Sequence, residues 1–275
     1  MPSQWIMYPH IGLGSLGWRM GYGEVYAENQ YIWYSSLTES EQKKYQEMFP
    51  PPKSWGDYYS QNYGLEYLIN TYIENNRVEY SSEKLIEKYN SGKPIEYMFF
   101  WKPNAGVVDK GCLCQWQPSQ FQVETETYCC AEQYMMARKA RLFNNHEISK
   151  LIMKYTNPKI IKALGRMIRD FEQEKWDNEK YTIIRDGNYC KFAQNDEMRN
   201  FLLSTGDKVL VEASPYDTVW GIGLSENDEK SQNPNTWRGQ NLLGFALMEV
   251  RDDLRNVYRN YNKIDWSILN SSSDD

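Results

Sequence analysis

The chain is poor in the residues on which several enzyme classes depend. His10 and His146 are its only histidines in 275 residues, so a His-based metal cluster or a Ser-His-Asp triad has almost no material to work with. The five cysteines, Cys112, Cys114, Cys129, Cys130 and Cys190, are an odd number and no export signal is read, so reduced thiols are expected rather than a disulfide framework. Zinc calls for C-x-x-C-type spacing, which C-x-C followed by an adjacent pair does not supply, and no metal is expected. Nothing approaches the roughly 18 consecutive apolar residues of a membrane helix, and no basic segment leads into an apolar run at the start. A cytoplasmic protein without membrane contact is the expectation. Positive charge is short as well, with 31 Lys plus Arg against 37 Asp plus Glu and a net charge of −6. Wrapping a long duplex neutralises many phosphates with Lys and Arg, which leaves a single nucleotide or a short strand as the nucleic-acid option.

Aromatic residues are plentiful. The 22 Tyr and 10 Trp can fill a core, and planar rings equally suit stacking on sugars and bases. Hydrophobic residues at 41% and charged residues at 25% describe a globular chain with a real core.

Residues 1–60 are rich in Gly, Pro, Tyr and Trp, and the run Phe49-Pro50-Pro51-Pro52 breaks regular structure. An irregular, loop-dominated extension is expected there, followed over 61–90 by two modest helices, the second capped by Ser81 or Ser82. Glu96 to Trp101 and Phe121 to Glu124 read as strands. Tyr128, Glu132, Met136, Lys139 and Phe143 recur at spacings of four and three, which predicts a helix over about 131–143. Asn157-Pro158 caps and opens another helix, Lys208 to Glu212 is a strand, and Leu243, Leu247, Val250, Leu254 and Val257 share one face of a last helix. The domains expected are an extension over 1–95, a mostly helical α+β domain with a small antiparallel sheet over 96–262, and a polar tail over 263–275, disordered from Ser271.

Gly12-Leu13-Gly14-Ser15-Leu16-Gly17 fits the letters G-x-G-x-x-G, but no buried strand precedes it and no crossing helix follows, so a dinucleotide fold is not expected. The loop is either a structural turn or, with Arg19, a flexible contact for a phosphate. Glu132 and Lys139 sit on an otherwise apolar stripe and should face inward. Buried charges are paired or functional: the pair is either a structural ion pair, with each other or with Arg138, or a desolvated lysine beside an acid, which is a route to a nucleophile. Ser214 to Gly223 follows a strand directly and places an acid, an indole and two glycines on one loop. Asn235 to Asn241 adds Trp237 and Arg238 before the last helix.

Several separate motifs then agree. Ala131-Glu132-Gln133-Tyr134, Ala163-Leu164-Gly165-Arg166, Leu203 to Asp207, Asp217-Thr218-Val219-Trp220-Gly221-Ile222-Gly223 and Asn241-Leu242-Leu243-Gly244 occur in the order seen in the NADAR family, which the chain resembles from about Phe99 to Leu254. The family takes its name from NAD and ADP-ribose and includes the YbiA-like N-glycosidases. The resemblance implies a mostly helical, YbiA-like α+β domain that hydrolyses a bond between a ribose carbon and a nitrogen, without a cofactor. It carries catalytic roles onto Glu132, Lys139 and Asp217, and substrate contacts onto Gln115, Trp116, Arg166, Trp176, Trp220, Gly221, Gly223 and Asn241, with Arg19, Lys191 and Trp237 as further candidates. Many members have Ser-Asn-Phe or Ser-Gln-Trp where this chain has Cys114-Gln115-Trp116, and His where it has Gln133, so proton transfer falls to Glu132 or Asp217. Two substrate classes are implied, ADP-ribosylated guanine in short or single-stranded nucleic acid, made by an ADP-ribosyltransferase toxin, and phosphoribosylated intermediates of riboflavin synthesis. The first is preferred because the glycine-rich extension offers Arg19 and backbone donors to a second phosphate. A non-catalytic ADP-ribose or NAD sensor is the reading from another class. Lys139 is the expected amine nucleophile, forming an imine with the sugar, with Lys191 in reserve; without a covalent step, Glu132 activates water.

Overall fold

Polar caps and prolines punctuate this chain into eleven helices and four short strands among the described residues. The computed structural model describes residues 1–60, 65–104 and 106–266; the expected disorder from Ser271 lies outside them. Two compact units are formed, one from 1–77 with 253–275 and one from 78–252.

The first unit holds α1 (Gln4–Met7), α2 (Tyr22–Ser35), α3 (Glu39–Met48) and α4 (Leu65–Asn76). It is therefore mainly helical, not the irregular extension that its glycines and prolines suggest. Thr38 opens α3 with a reciprocal capping box to Glu41, which satisfies two backbone donors at the helix start. Trp5, Tyr45, Phe49 and Trp55 form its core. Trp5 meets Trp55 edge-on, with ring centroids 5.1 Å apart, an arrangement the ring quadrupoles favour. The glycine-rich segment is a turn: Gly14 and Gly21 sit at φ 78° and 106°, and a Cβ on Gly23 would lie 2.3 Å from the Gly17 carbonyl oxygen.

The second unit begins earlier than residue 96, because α5 (Ser82–Asn90) belongs to it, with Ser82 donating to the Gln240 carbonyl. It continues through β1 (Tyr97–Phe100), β2 (Phe121–Val123), β3 (Glu126–Tyr128), α6 (Ala131–Leu142), α7 (His146–Lys154), α8 (Pro158–Gly165), α9 (Gln173–Ala193), α10 (Asp196–Ser204), β4 (Val209–Glu212) and α11 (Leu242–Val257), whose last turn is counted with the first unit. The α+β class holds. Instead of one antiparallel sheet there are two separate two-stranded ones: β2 and β3 form an antiparallel hairpin turning at Glu124, whereas β1 pairs with β4 in parallel, Tyr97 opposite Val209 and Phe100 opposite Glu212. More than a hundred residues, among them five helices, separate these two strands, and a long crossover permits the parallel pairing that a tight turn forbids.

α6 is the hub, packed against α7, α8 and α9 and buried over most of its circumference. Ala131, Ala137 and Ala140 allow neighbouring backbones to approach. Gly187 of α9 meets Tyr134 so closely that a Cβ there would lie 2.4 Å from the ring.

Candidate active site

A cavity of about 670 Å³ opens beside α6, walled by α8, the start of α9, the end of β4 and the loop after it, and the segment 101–116. Glu132 enters it from the first turn of α6. Its backbone N–H donates to the Gln115 carbonyl at 3.0 Å, and Gln115 is held by its amide donating to Asn188 Oδ1 at 3.1 Å. Glu132 is 3% exposed and its Oε1 is buried without a hydrogen-bond partner. Burial pushes its carboxyl up to about 7, against the opposing pull of the Lys162 ammonium and a hydrogen bond from the Trp116 side chain.

Lys139 lies two turns further along the same helix. Its Nζ stands 4.4 Å from the centroid of the Phe171 ring and 5.2 Å from that of Trp176. Burial against these faces lowers its proton affinity, while the Glu132 charge raises it. A neutral amine is the nucleophilic form. Asp217 is fixed in an Asx turn, its Oδ1 accepting from the N–H groups of Val219 at 3.0 Å and Trp220 at 2.8 Å. Trp116, Arg166, Trp176 and Trp220 also line the cavity, so the structure brings together all three expected catalytic groups and five of the expected substrate contacts, Gln115 included.

Other expected residues sit elsewhere. Lys191 is fully buried outside the cavity lining and donates to the carbonyls of Cys112 at 2.6 Å and Cys114 at 3.1 Å, so it anchors the segment that carries Gln115 and Trp116. Trp237 donates to the Ser231 carbonyl at 2.8 Å and packs edge-on to Tyr97, away from the lining. Asn241 clamps β4: its Oδ1 accepts from the Glu212 N–H at 3.0 Å and its Nδ2 donates to the Leu210 carbonyl at 2.9 Å. Gly221 and Gly223 shape the loop without lining the cavity; a Cβ on Gly221 would stand 2.7 Å from the Glu212 carbonyl, and Gly223 turns at φ 67°. Arg19 is exposed in the first unit and does not line this cavity. Gln133, at the position of the family's His, points away, donating to the carbonyls of Ile152 and Tyr155.

Sequence reasoning missed Glu212 and Lys162, both in the lining. Glu212 is pushed up to about 8 by burial and by the charges of Asp217 and Glu132. Its signal was present as an acid ending the otherwise apolar run Val209-Leu210-Val211. Lys162 carried none, since a lysine on a short helix reads as solvated. Among the described residues no group of His, Cys, Asp and Glu is placed to hold a metal ion, and no helix is long and apolar enough to cross a membrane.

Relatives share this part of the chain. An N-glycosidase of Acanthamoeba polyphaga mimivirus is 41% identical over 163 residues, covering 58% of this chain and 96% of its own length. An N-glycosidase of Nostoc punctiforme is 32% identical over 59% of this chain and 94% of its own. N-glycosidase YbiA of Escherichia coli K12 is 27% identical over 53% and 82%. The NMR structure of Escherichia coli YbiA superposes with a TM-score of 0.47 at 24% identity, covering 58% of this chain and 87% of that one. The family model described as the NADAR domain matches residues 99–255, more than half of the sequence and every residue that lines the cavity, and the chain belongs to the NADAR family.

Proposed function

We propose that the chain is an N-glycosidase that removes ADP-ribose from guanine in short or single-stranded nucleic acid, reversing the product of an ADP-ribosyltransferase toxin. The observation that carries this reading is an acidic floor, Glu132, Glu212 and Asp217, in one cavity with the cations Lys102, Lys162, Arg166 and Lys180. Cleaving a ribosyl C–N bond builds positive charge on the sugar, which carboxylates stabilise. Two phosphates then need cations within reach, and Arg166 offers bidentate geometry. These residues replace Arg19 as the reason for preferring a two-phosphate ligand over an aminopyrimidine ribose phosphate. A volume of about 670 Å³ suits a nucleotide-sized ligand, since such pockets span roughly 300–1,000 Å³.

In the covalent route the neutral Lys139 amine attacks the anomeric carbon, the base departs with the bond's electron pair and a proton, and ring opening leaves an imine that water hydrolyses. In the other route Glu132 deprotonates the attacking water. The deciding experiment incubates the full chain with an oligonucleotide carrying ADP-ribosylated guanine and, separately, with the aminopyrimidine ribose phosphate. Free ADP-ribose from the first is the expected result. Release from the second alone moves the chain to riboflavin chemistry, and tight binding of ADP-ribose with no hydrolysis of either makes it a sensor.

A further inference from the structure

We propose that Glu212 is the acid that protonates the departing base, and that Lys162 is the positioning residue that leaves the proton there by holding Glu132 ionised. The inference rests on the N-glycosidase reading of the cavity.

Three carboxyls, those of Glu132, Glu212 and Asp217, share the cavity with the amines of Lys139 and Lys162. Asp217 Oδ1 accepts from two backbone donors. The glutamates are not so supplied: Glu132 Oε1 and Glu212 Oε2 are buried with no hydrogen-bond partner among the described residues. Two bare anions in one such cavity are costly, so the pair holds one proton.

The neighbours decide where that proton sits. After burial, the largest influence on Glu132 is the Lys162 ammonium, followed by the Trp116 side chain as donor; Asp217 opposes them and Lys139 adds least. After burial, the largest influences on Glu212 are the negative charges of Asp217 and Glu132, with Lys162 last. Lys102, Arg166 and Lys180 also line the cavity, and the thiols beside the pair are those of Cys114, kept neutral by burial, and Cys130, kept neutral by its contact with Cys129 and by burial. Lys162 Nζ lies 5.9 Å from the centroid of Trp116, whose side chain donates to Glu132. Burial raises both carboxyls well above the ordinary 4.5, Glu132 against the pull of Lys162 and Glu212 with the added push of two neighbouring negative charges. Glu212 is also the better anchored acid. Its N–H is held by Asn241 and its carbonyl accepts from the Ile222 N–H at 2.9 Å, which sets the side chain at the end of a paired strand.

The protons balance. As the anomeric C–N bond breaks, its electron pair passes to the base nitrogen, which takes the Glu212 proton. Glu132 accepts a proton from the attacking amine or water, and passing it to Glu212 restores the starting state.

The test compares ADP-ribosylguanine with an ADP-ribosyl 4-nitrophenolate, whose leaving group needs no proton. Glu212→Gln should slow release of guanine by about 10²–10⁴-fold and erase the alkaline limb of kcat/KM, while nitrophenolate release stays within about threefold of wild type, which also shows that the variant is folded. Lys162→Met should move the acidic limb upward by about half a pH unit or more, and Lys162→Arg should restore it. Equal losses by Glu212→Gln on both substrates, or an unmoved acidic limb in Lys162→Met, overturn the proposal. A wild-type chain that cleaves neither substrate sinks the N-glycosidase reading itself, an outcome distinct from an active enzyme indifferent to these substitutions.

Discussion

Lys139 and Lys191 show how much a single side chain's surroundings decide. Both project inward from helices and burial lowers the proton affinity of both, yet one faces a cavity and the other is spent on two carbonyl oxygens. Borohydride added during turnover should therefore trap an adduct on Lys139: mass spectrometry should find it in wild type and lose it in Lys139→Arg. An adduct on Lys191 instead would move the nucleophile there, and none on any lysine removes the covalent route. Glu132→Gln should cost at least about 10³-fold in kcat, because the base and the charge facing the oxocarbenium are lost together. A loss confined to KM would make Glu132 a binding group. The sequence marked both members of the Glu132–Lys139 stripe, since an inward charge breaks an apolar pattern. It could not separate Lys191 from Lys139, because nothing local says which inward direction ends in a void.

At the scale of elements, the geometry of the site depends on how closely helices approach α6. Gly187 lets α9 settle onto Tyr134, and Gly187→Ala should destabilise the fold by about 1–3 kcal/mol through overpacking, although alanine alone would favour the helix by about 1 kcal/mol. Urea denaturation measures the difference; a variant as stable as wild type would show that α9 and α6 have room to spare. The helices with caps and clear periodicity, α5, α6, α8 and α11, were legible in the sequence. α4 was legible too, as the first of the two helices expected over 61–90; α1, α2 and α3 were not. α3 is almost wholly polar and exposed outside Tyr45, so it offers no stripe, and the surrounding glycines and prolines hide α2. The parallel pairing of β1 with β4 has no local signature, because the partner of each strand lies over a hundred residues away.

For the whole molecule, the buried acids make stability depend on pH. Glu132 and Glu212 are raised to about 7 and about 8 from an ordinary value of 4.5, so folding favours their neutral forms. Their contribution is complete below about pH 4.5 and is lost as pH rises through 7 and 8. Wild type should therefore lose stability relative to the Glu132→Gln/Glu212→Gln double variant between pH 5 and 9, by on the order of a few kcal/mol. Denaturant titrations at several pH values check this, and a gap independent of pH would show that the two acids are not titrating in the fold. Net charge sets a second expectation. A chain at −6 should hold an oligonucleotide through few phosphates, so KM should rise by less than about tenfold between 50 and 200 mM salt. A steeper rise would reveal an extended basic track.

The sequence alone determined the class of the fold, the helix bearing Glu132 and Lys139, the loop bearing Asp217, and the family. These are properties of spacing and of residue type along a few consecutive turns, where local sterics and burial leave a periodic trace. Only the tertiary structure brought Glu212 from the end of β4 and Lys162 from α8 to the same cavity as Glu132, and sent Lys191 and Asn241 to hold backbone. Which charges meet depends on distances across the core between residues far apart in the chain, and the energy of a charge depends on what surrounds it there. Neither quantity is written in the order of the residues.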